Sequence, residues 1–180
     1  SDVCSSDLAI IFRSLFANDG LVNYVLVNLG ILDKPYNFLT QPFAAKMVII
    51  LALLWRWTGY NMVFFLSGLQ NIEYSVYEAA KIDGASAIQT FFKITVPLLK
   101  PTILLTAIMS TNGTLQLFDE SINLTDGGPA NASISMSHYI YNLCFKYVPN
   151  FGYAAAMSFF ILLLVAVLAF IQMRVGDKRD

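Results

Sequence analysis

In this 180-residue chain the residues whose types and spacing could do chemistry are few, and the most telling lie between Asn71 and Pro101. There Glu78, Ala79 and Ala80 are followed, two residues on, by Asp83, Gly84 and Ala85. A carboxylate among small side chains offers a surface that another protein can approach at backbone distance, but no nucleophile. A second group, Asn112, Gln116 and Asp119, supplies amide and carboxylate groups of the kind that recognise hydroxyls. His138, the single histidine, has no acidic or cysteine neighbour in sequence and reads as an ordinary loop residue. Cys4 and Cys144 are too few for a disulfide framework and lack the spacing of a metal site. Phosphate-cradle, nucleophile-elbow and HExxH signatures are absent, so neither catalytic residues nor a metal or cofactor is expected.

What must position these groups follows from composition. Hydrophobic residues make up 57% of the chain and charged residues 13%, about half the usual share for a soluble domain; mean hydropathy is +0.61. A net charge of -1 leaves no basic surface for nucleic acid. Disorder is excluded by the apolar content. A membrane helix needs about 20 apolar residues to cross about 30 Å of hydrocarbon. Three stretches meet that requirement: residues 44–69, with Lys46 at one edge and a single internal charge, Arg56, between Trp55 and Trp57; residues 98–118, less apolar in the second half; and residues 151–173, with no charge at all. The expected fold is all-α, a polytopic transmembrane helical protein.

Residues 1–8 resemble the translation of a sequencing adapter and are set aside as an artefact, which implies an N-terminally truncated chain. Residues 9–43 then comprise the end of a truncated span, Ala9 to Phe16, plus an outer segment in which Gly20 to Leu32 is too short to cross and reads as an interfacial helix. Basic residues set the orientation. Lys81, Lys93 and Lys100 in the linker, with Arg174, Lys178 and Arg179 in the tail, outnumber Lys34, Lys46 and Lys146. The linker, residues 70–97, and the tail, residues 174–180, are therefore expected in the cytoplasm, and residues 119–150, with the turn Asp126-Gly127-Gly128-Pro129, outside.

The linker reads as helix, turn, helix, broken at Asp83-Gly84, with Pro97 and Pro101 at the entry to the next span. Ile72, Val76, Ala79 and Ala80, then Ile88, Phe91 and Phe92, give each piece an apolar side. Such a pair can lie on the bilayer or plug a groove in a partner protein. Glu78 has two readings: a docking residue, or the fourth position of a capping box opened by Ser75.

The string YEAAKIDGASAIQTFFKITVPLLKP, with LTDGGP near Asp126 and FGYAAAMSF at Phe151, resembles the permease subunits of ATP-binding-cassette importers, most closely their carbohydrate-uptake branch. The resemblance runs from about Gly20 to Met173. It implies a coupling helix, carrying Glu78, Ala79, Ala80, Asp83, Gly84 and Ala85, seated in a nucleotide-binding ATPase subunit. It also implies a second permease subunit, an external solute-binding protein, a sugar substrate and a bacterial or archaeal plasma (inner) membrane. Relatives often have proline where this chain has Glu73, and alanine where it has Ser67.

Arg56 within a span is costly; it is expected to snorkel or to pair with a carboxylate on the inner side. Ser110, Thr111, Asn112, Thr114 and Gln116, then Asp119 and Glu120, must face protein or water. They glue helices together or line a solute path, for which Asn112, Gln116 and Asp119 are the candidates. The competing classes are an importer of a non-sugar solute, a secondary transporter or channel, and a membrane scaffold. A secondary transporter would show charged or broken helices in paired halves, and no repeat of that kind is visible.

Overall fold

The computed structural model describes residues 2–176; Lys178 and Arg179 of the basic tail lie outside the described residues. Every regular element among them is helical. In chain order they are α1 (Asp2–Leu15), α2 (Leu21–Asn28), α3 (Pro42–Gln70), α4 (Tyr74–Ile82), α5 (Ala87–Thr90), α6 (Val96–Leu98), α7 (Lys100–Leu115), α8 (Asp119–Thr125), α9 (Met136–Tyr141) and α10 (Phe151–Gly176). Single π turns, Phe91–Thr95 and Asn142–Lys146, follow α5 and α9.

Two helices are long and apolar enough to cross a bilayer, α3 with 29 residues and α10 with 26. At 1.5 Å per residue they extend about 43 and 39 Å. Leu54, Met62, Phe159, Leu162 and Phe170 point outward from them, as suits an apolar surrounding. The span expected over residues 98–118 is shorter: α7 has 16 residues, about 24 Å. It meets the length requirement only with the helical stretch Ala87–Leu98, which joins it at 65°. Prolines cause the break. Pro101 has no N–H to donate to Pro97 four residues earlier, and its ring crowds that carbonyl; Pro97 stands likewise to Lys93, where the helix widens into the π turn. The expected third span extends three residues further than anticipated, so Arg174 ends a helix rather than opening a tail.

The chain divides into two compact units, one of Ser1–Arg56 with Gly113–Leu163, the other of Trp57–Asn112 with Leu164–Asp180. In the first, Ala9, Val48, Ile49, Ala52 and Leu124 are buried together under Phe12, Phe16, Phe38 and Leu39. Helix α1 packs on α8, so Ala9 to Phe16, expected as the stub of a span, here carries core residues. Gly20 to Leu32 yields only the eight-residue α2. Its buried residue is Asn23, whose amide nitrogen donates to the carbonyls of Ala17 (3.0 Å) and Tyr36 (2.9 Å) while its oxygen accepts from the Tyr36 N–H (2.8 Å).

In the second unit α3 and α7 approach closely at Gly68. A Cβ there would lie 2.8 Å from a Leu99 methyl and 2.9 Å from the Thr102 hydroxyl. Polar side chains join the same helices: Asn61 and Ser110 exchange hydrogen bonds of 3.1 and 3.2 Å, and Gln172 of α10 donates to Thr111 (2.8 Å). Small residues and side-chain hydrogen bonds hold helices together where lipid supplies no hydrophobic drive.

Candidate functional site

The helix–turn–helix expected in the linker is present. Helix α4 ends at Ile82; the Asp83 N–H bonds the Ala79 carbonyl (3.0 Å), and Gly84 takes φ +74°, the left-handed conformation that glycine adopts without Cβ strain. The chain turns at once into α5, whose start is fixed by a complete capping box: Ser86 accepts from the Gln89 N–H, and the Gln89 side chain accepts from the Ser86 N–H. The capping box lies here, not at Ser75–Glu78. Helix α4 begins at Tyr74 with Glu73 as its N-cap, and Ser75 donates instead to the Glu73 carboxylate (3.2 Å). Glu78 sits two residues too deep to close a capping box on Glu73, and its side chain is exposed.

The two arms of the loop are braced. The Tyr77 hydroxyl meets the buried Thr95 hydroxyl of the π turn at 3.3 Å, and Ala80 is buried on the same side. Glu78, Ala79, Asp83 and Gly84 are exposed and Ala85 is half-buried. Ala80 thus serves internal packing, while the other signature positions present a surface. Beside them stand apolar side chains facing out: Ile82 is 86% exposed, Ile88 72% and Phe92 65%. A rigid helical pin carrying an apolar knob among small and acidic residues can fill a groove and transmit force, and does no covalent chemistry.

Asn112 belongs to one unit, Gln116 and Asp119 to the other. Asn112 and Gln116 are exposed and Asp119 is half-buried, and each has a polar partner. Sequence reasoning underrated Glu120. Arg56, midway along α3 and so no nearer one end than the other, forms an ion pair with Glu120, which is 1% exposed. The carboxylate comes from α8, which bears out pairing as the role of Arg56. The unusual charge in an apolar span was the available signal; its partner was hidden because α8 folds back through tertiary packing. Burial pushes the Glu120 carboxyl above the usual carboxylate range, and Arg56 pulls it back.

His138 is likewise not an ordinary loop residue: it is fully buried. Ser121 holds it, with the Ser121 oxygen 2.9 Å from His138 Nδ1. That hydroxyl spends its one hydrogen on the Ser133 carbonyl (2.8 Å) and accepts the Ser135 N–H (3.2 Å). Nδ1 must then carry the imidazole proton, leaving Nε2 bare, 3.8 Å from Asp126. Burial above all holds the imidazole below its ordinary value. Asp126 accepts from Lys146 (2.8 Å), a hydrogen bond that lowers the aspartate and raises the lysine. A serine, a histidine and an aspartate in contact would suggest a hydrolase, but Ser121 is wholly buried with its proton committed to a carbonyl. The cluster is a staple across the loop. Among the described residues no group of histidine, cysteine and carboxylate side chains could hold a metal ion.

Residues 8–179 match the family model of binding-protein-dependent transport system inner membrane components. The lactose transport system permease protein LacF of Rhizobium radiobacter is 53% identical over 98% of this chain and 61% of its own length. The trehalose/maltose permease protein MalF of Thermococcus litoralis is 37% identical over 89% of this chain and 53% of its own. A bacterial ABC transporter that imports the acidic polysaccharide alginate, solved by crystallography, superposes with a TM-score of 0.81 at 25% identity, over 98% of this chain and 60% of that one. The chain spans between about half and three fifths of the length of these relatives.

Proposed function

The chain belongs to the family of binding-protein-dependent transport system inner membrane components, and from that premise we propose that it is part of the permease subunit of an ATP-driven sugar importer. The observation that carries the sugar assignment is the 53% identity to a lactose permease over nearly the whole chain, so lactose is the first substrate to test. The subunit supplies part of a gated path, to which Asn112, Gln116 and Asp119 contribute polar groups, and hydrolysis of ATP falls to other chains. Its partners are two nucleotide-binding subunits, a second permease subunit and an external solute-binding protein. The last is supported by a related alginate transporter crystallised with its loaded periplasmic protein. It sits in the plasma membrane with the loop and the C-terminus in the cytoplasm, an orientation supported by the basic residues of both.

The coupling role rests on the braced loop. Glu78, Asp83 and Gly84, with the exposed Ile82 and Ile88, seat in a cleft of the ATPase, and the Tyr77–Thr95 contact keeps the pin from folding away when that cleft moves. Closure of the ATPase pair then becomes movement of α3 and α7, the helices joined to the loop. The test uses the full-length protein in a strain lacking its own copy. Gly84→Asp and Glu78→Lys should abolish lactose uptake and co-purification of the ATPase while leaving permease levels unchanged. Normal uptake in both variants removes the coupling assignment; no uptake of any neutral oligosaccharide by the unaltered transporter removes the sugar reading.

A further inference from the structure

The segment between α1 and α3 forms an open cavity of about 350 Å³, within the size range of small-ligand sites. One stripe of α2 lines it, with Tyr24, Val27 and Asn28 at helical spacing; Asn18 and Asp19 enter from the preceding turn and Pro35 from the returning chain. The walls are fixed. Asn23 beneath them ties residue 17 to residue 36 with all three of its hydrogen bonds. Gly20 closes the turn so tightly that a Cβ would lie 2.4 Å from the Leu15 carbonyl.

The polar side chains above this frame are uncommitted. Among the described residues Asn18, Asp19 and Asn28 make no side-chain hydrogen bond, and the Tyr24 ring is 69% exposed. Two amides and a carboxylate around an aromatic face supply what a pyranose ring requires: acceptors and donors for adjacent hydroxyls, and an apolar platform for its C–H face. No basic residue lines the cavity, and Asp19 repels anions. Phosphates and uronic acids are disfavoured.

We propose that this cavity is a contact site for a neutral pyranose sugar, on the side where the importer receives its substrate. The inference rests on the sugar-import reading and specifies one place where sugar touches the chain. The test uses the full transporter in lipid nanodiscs without its solute-binding protein, titrated with lactose and read by saturation-transfer NMR. Tyr24→Ala and the pair Asp19→Ala with Asn28→Ala should each raise the apparent lactose Kd about tenfold, while docking of the binding protein, measured separately on the same nanodiscs, is unchanged. Glucuronic acid should give no signal that depends on Tyr24. Asn23→Ala, which loosens the frame at a lining position whose side-chain hydrogen bonds are all spent on the backbone, should weaken lactose binding while Tyr24→Phe retains it. Unchanged lactose titrations in both contact variants overturn the proposal, and so does weakened docking of the binding protein with unchanged lactose binding, which would make the cavity a protein seat. Lactose uptake by the unaltered transporter alongside either result leaves the import reading standing; its absence sinks both.

Discussion

Removing Arg56 should strand a buried carboxylate, and the size of the penalty can be worked out. Glu120 is 1% exposed and Arg56 is the cation that compensates it. In Arg56→Met the glutamate either stays charged in a nonpolar site or takes up a proton. Protonation caps the cost: holding a carboxyl of ordinary pKa near 4.3 neutral at pH 7 takes about 3.7 kcal/mol, close to the 3–5 kcal/mol typical of a broken buried pair. The folded variant then carries one proton more than the unfolded chain, so its stability must fall by about 1.4 kcal/mol per pH unit as pH rises from 6 to 8. Adding Glu120→Gln removes the charge and should return stability to within about 1 kcal/mol of the unaltered protein, without the pH slope. Denaturation of the full-length protein in detergent, followed by circular dichroism at pH 6, 7 and 8, reads all three. A single variant whose deficit ignores pH, or a double variant no more stable than the single, refutes the assignment of this pair as a charge held in place by its partner.

The His138 staple responds in the opposite sense. Its folded-state pKa is depressed by burial, so the unfolded chain binds the proton first. The stability it contributes is fully present above the ordinary histidine value near 6.5 and is lost as pH falls below it toward the folded value. Protection of residues 121–138 against hydrogen exchange, taken relative to each amide's intrinsic rate at that pH, should fall between pH 6.5 and 5 in the unaltered protein, and in Ser121→Ala already at pH 7, where the lost bonds to Ser133, Ser135 and His138 cost about 1–3 kcal/mol. At Gly68 an added methyl meets Leu99 and Thr102 below 3 Å. Gly68→Ala should therefore cost about 1–3 kcal/mol in the same denaturation measurement, whereas Gly59→Ala, with nothing within 4 Å of the added atom, should cost nothing measurable.

Local sequence determined those features that depend on neighbours along the chain. Runs of apolar residues fixed α3 and α10, because a helix that must satisfy its own backbone in lipid needs only length and hydropathy. Asp83-Gly84 fixed the turn of the loop, since the left-handed conformation of residue 84 is a property of glycine itself. The order of EAA, DGA, the Pro97 spacing, GGP and GYAAA between apolar stretches was likewise enough to identify the family that the comparisons then supplied. Tertiary structure decided what depends on residues distant in sequence. Hydropathy read residues 98–118 as one span with Pro97 and Pro101 at its entry, yet the helical stretch Ala87–Leu98 and the helix Lys100–Leu115 meet there at 65°. Ser75 and Glu78 fit a capping pattern that the chain uses instead at Ser86 and Gln89, because the pattern recurs and packing selects where the helix begins. Arg56 found Glu120, and His138 found Ser121, across 64 and 17 residues. Each of these polar groups is isolated in sequence and costly to bury alone; only a fold that brings its partner within hydrogen-bond reach makes its burial tolerable.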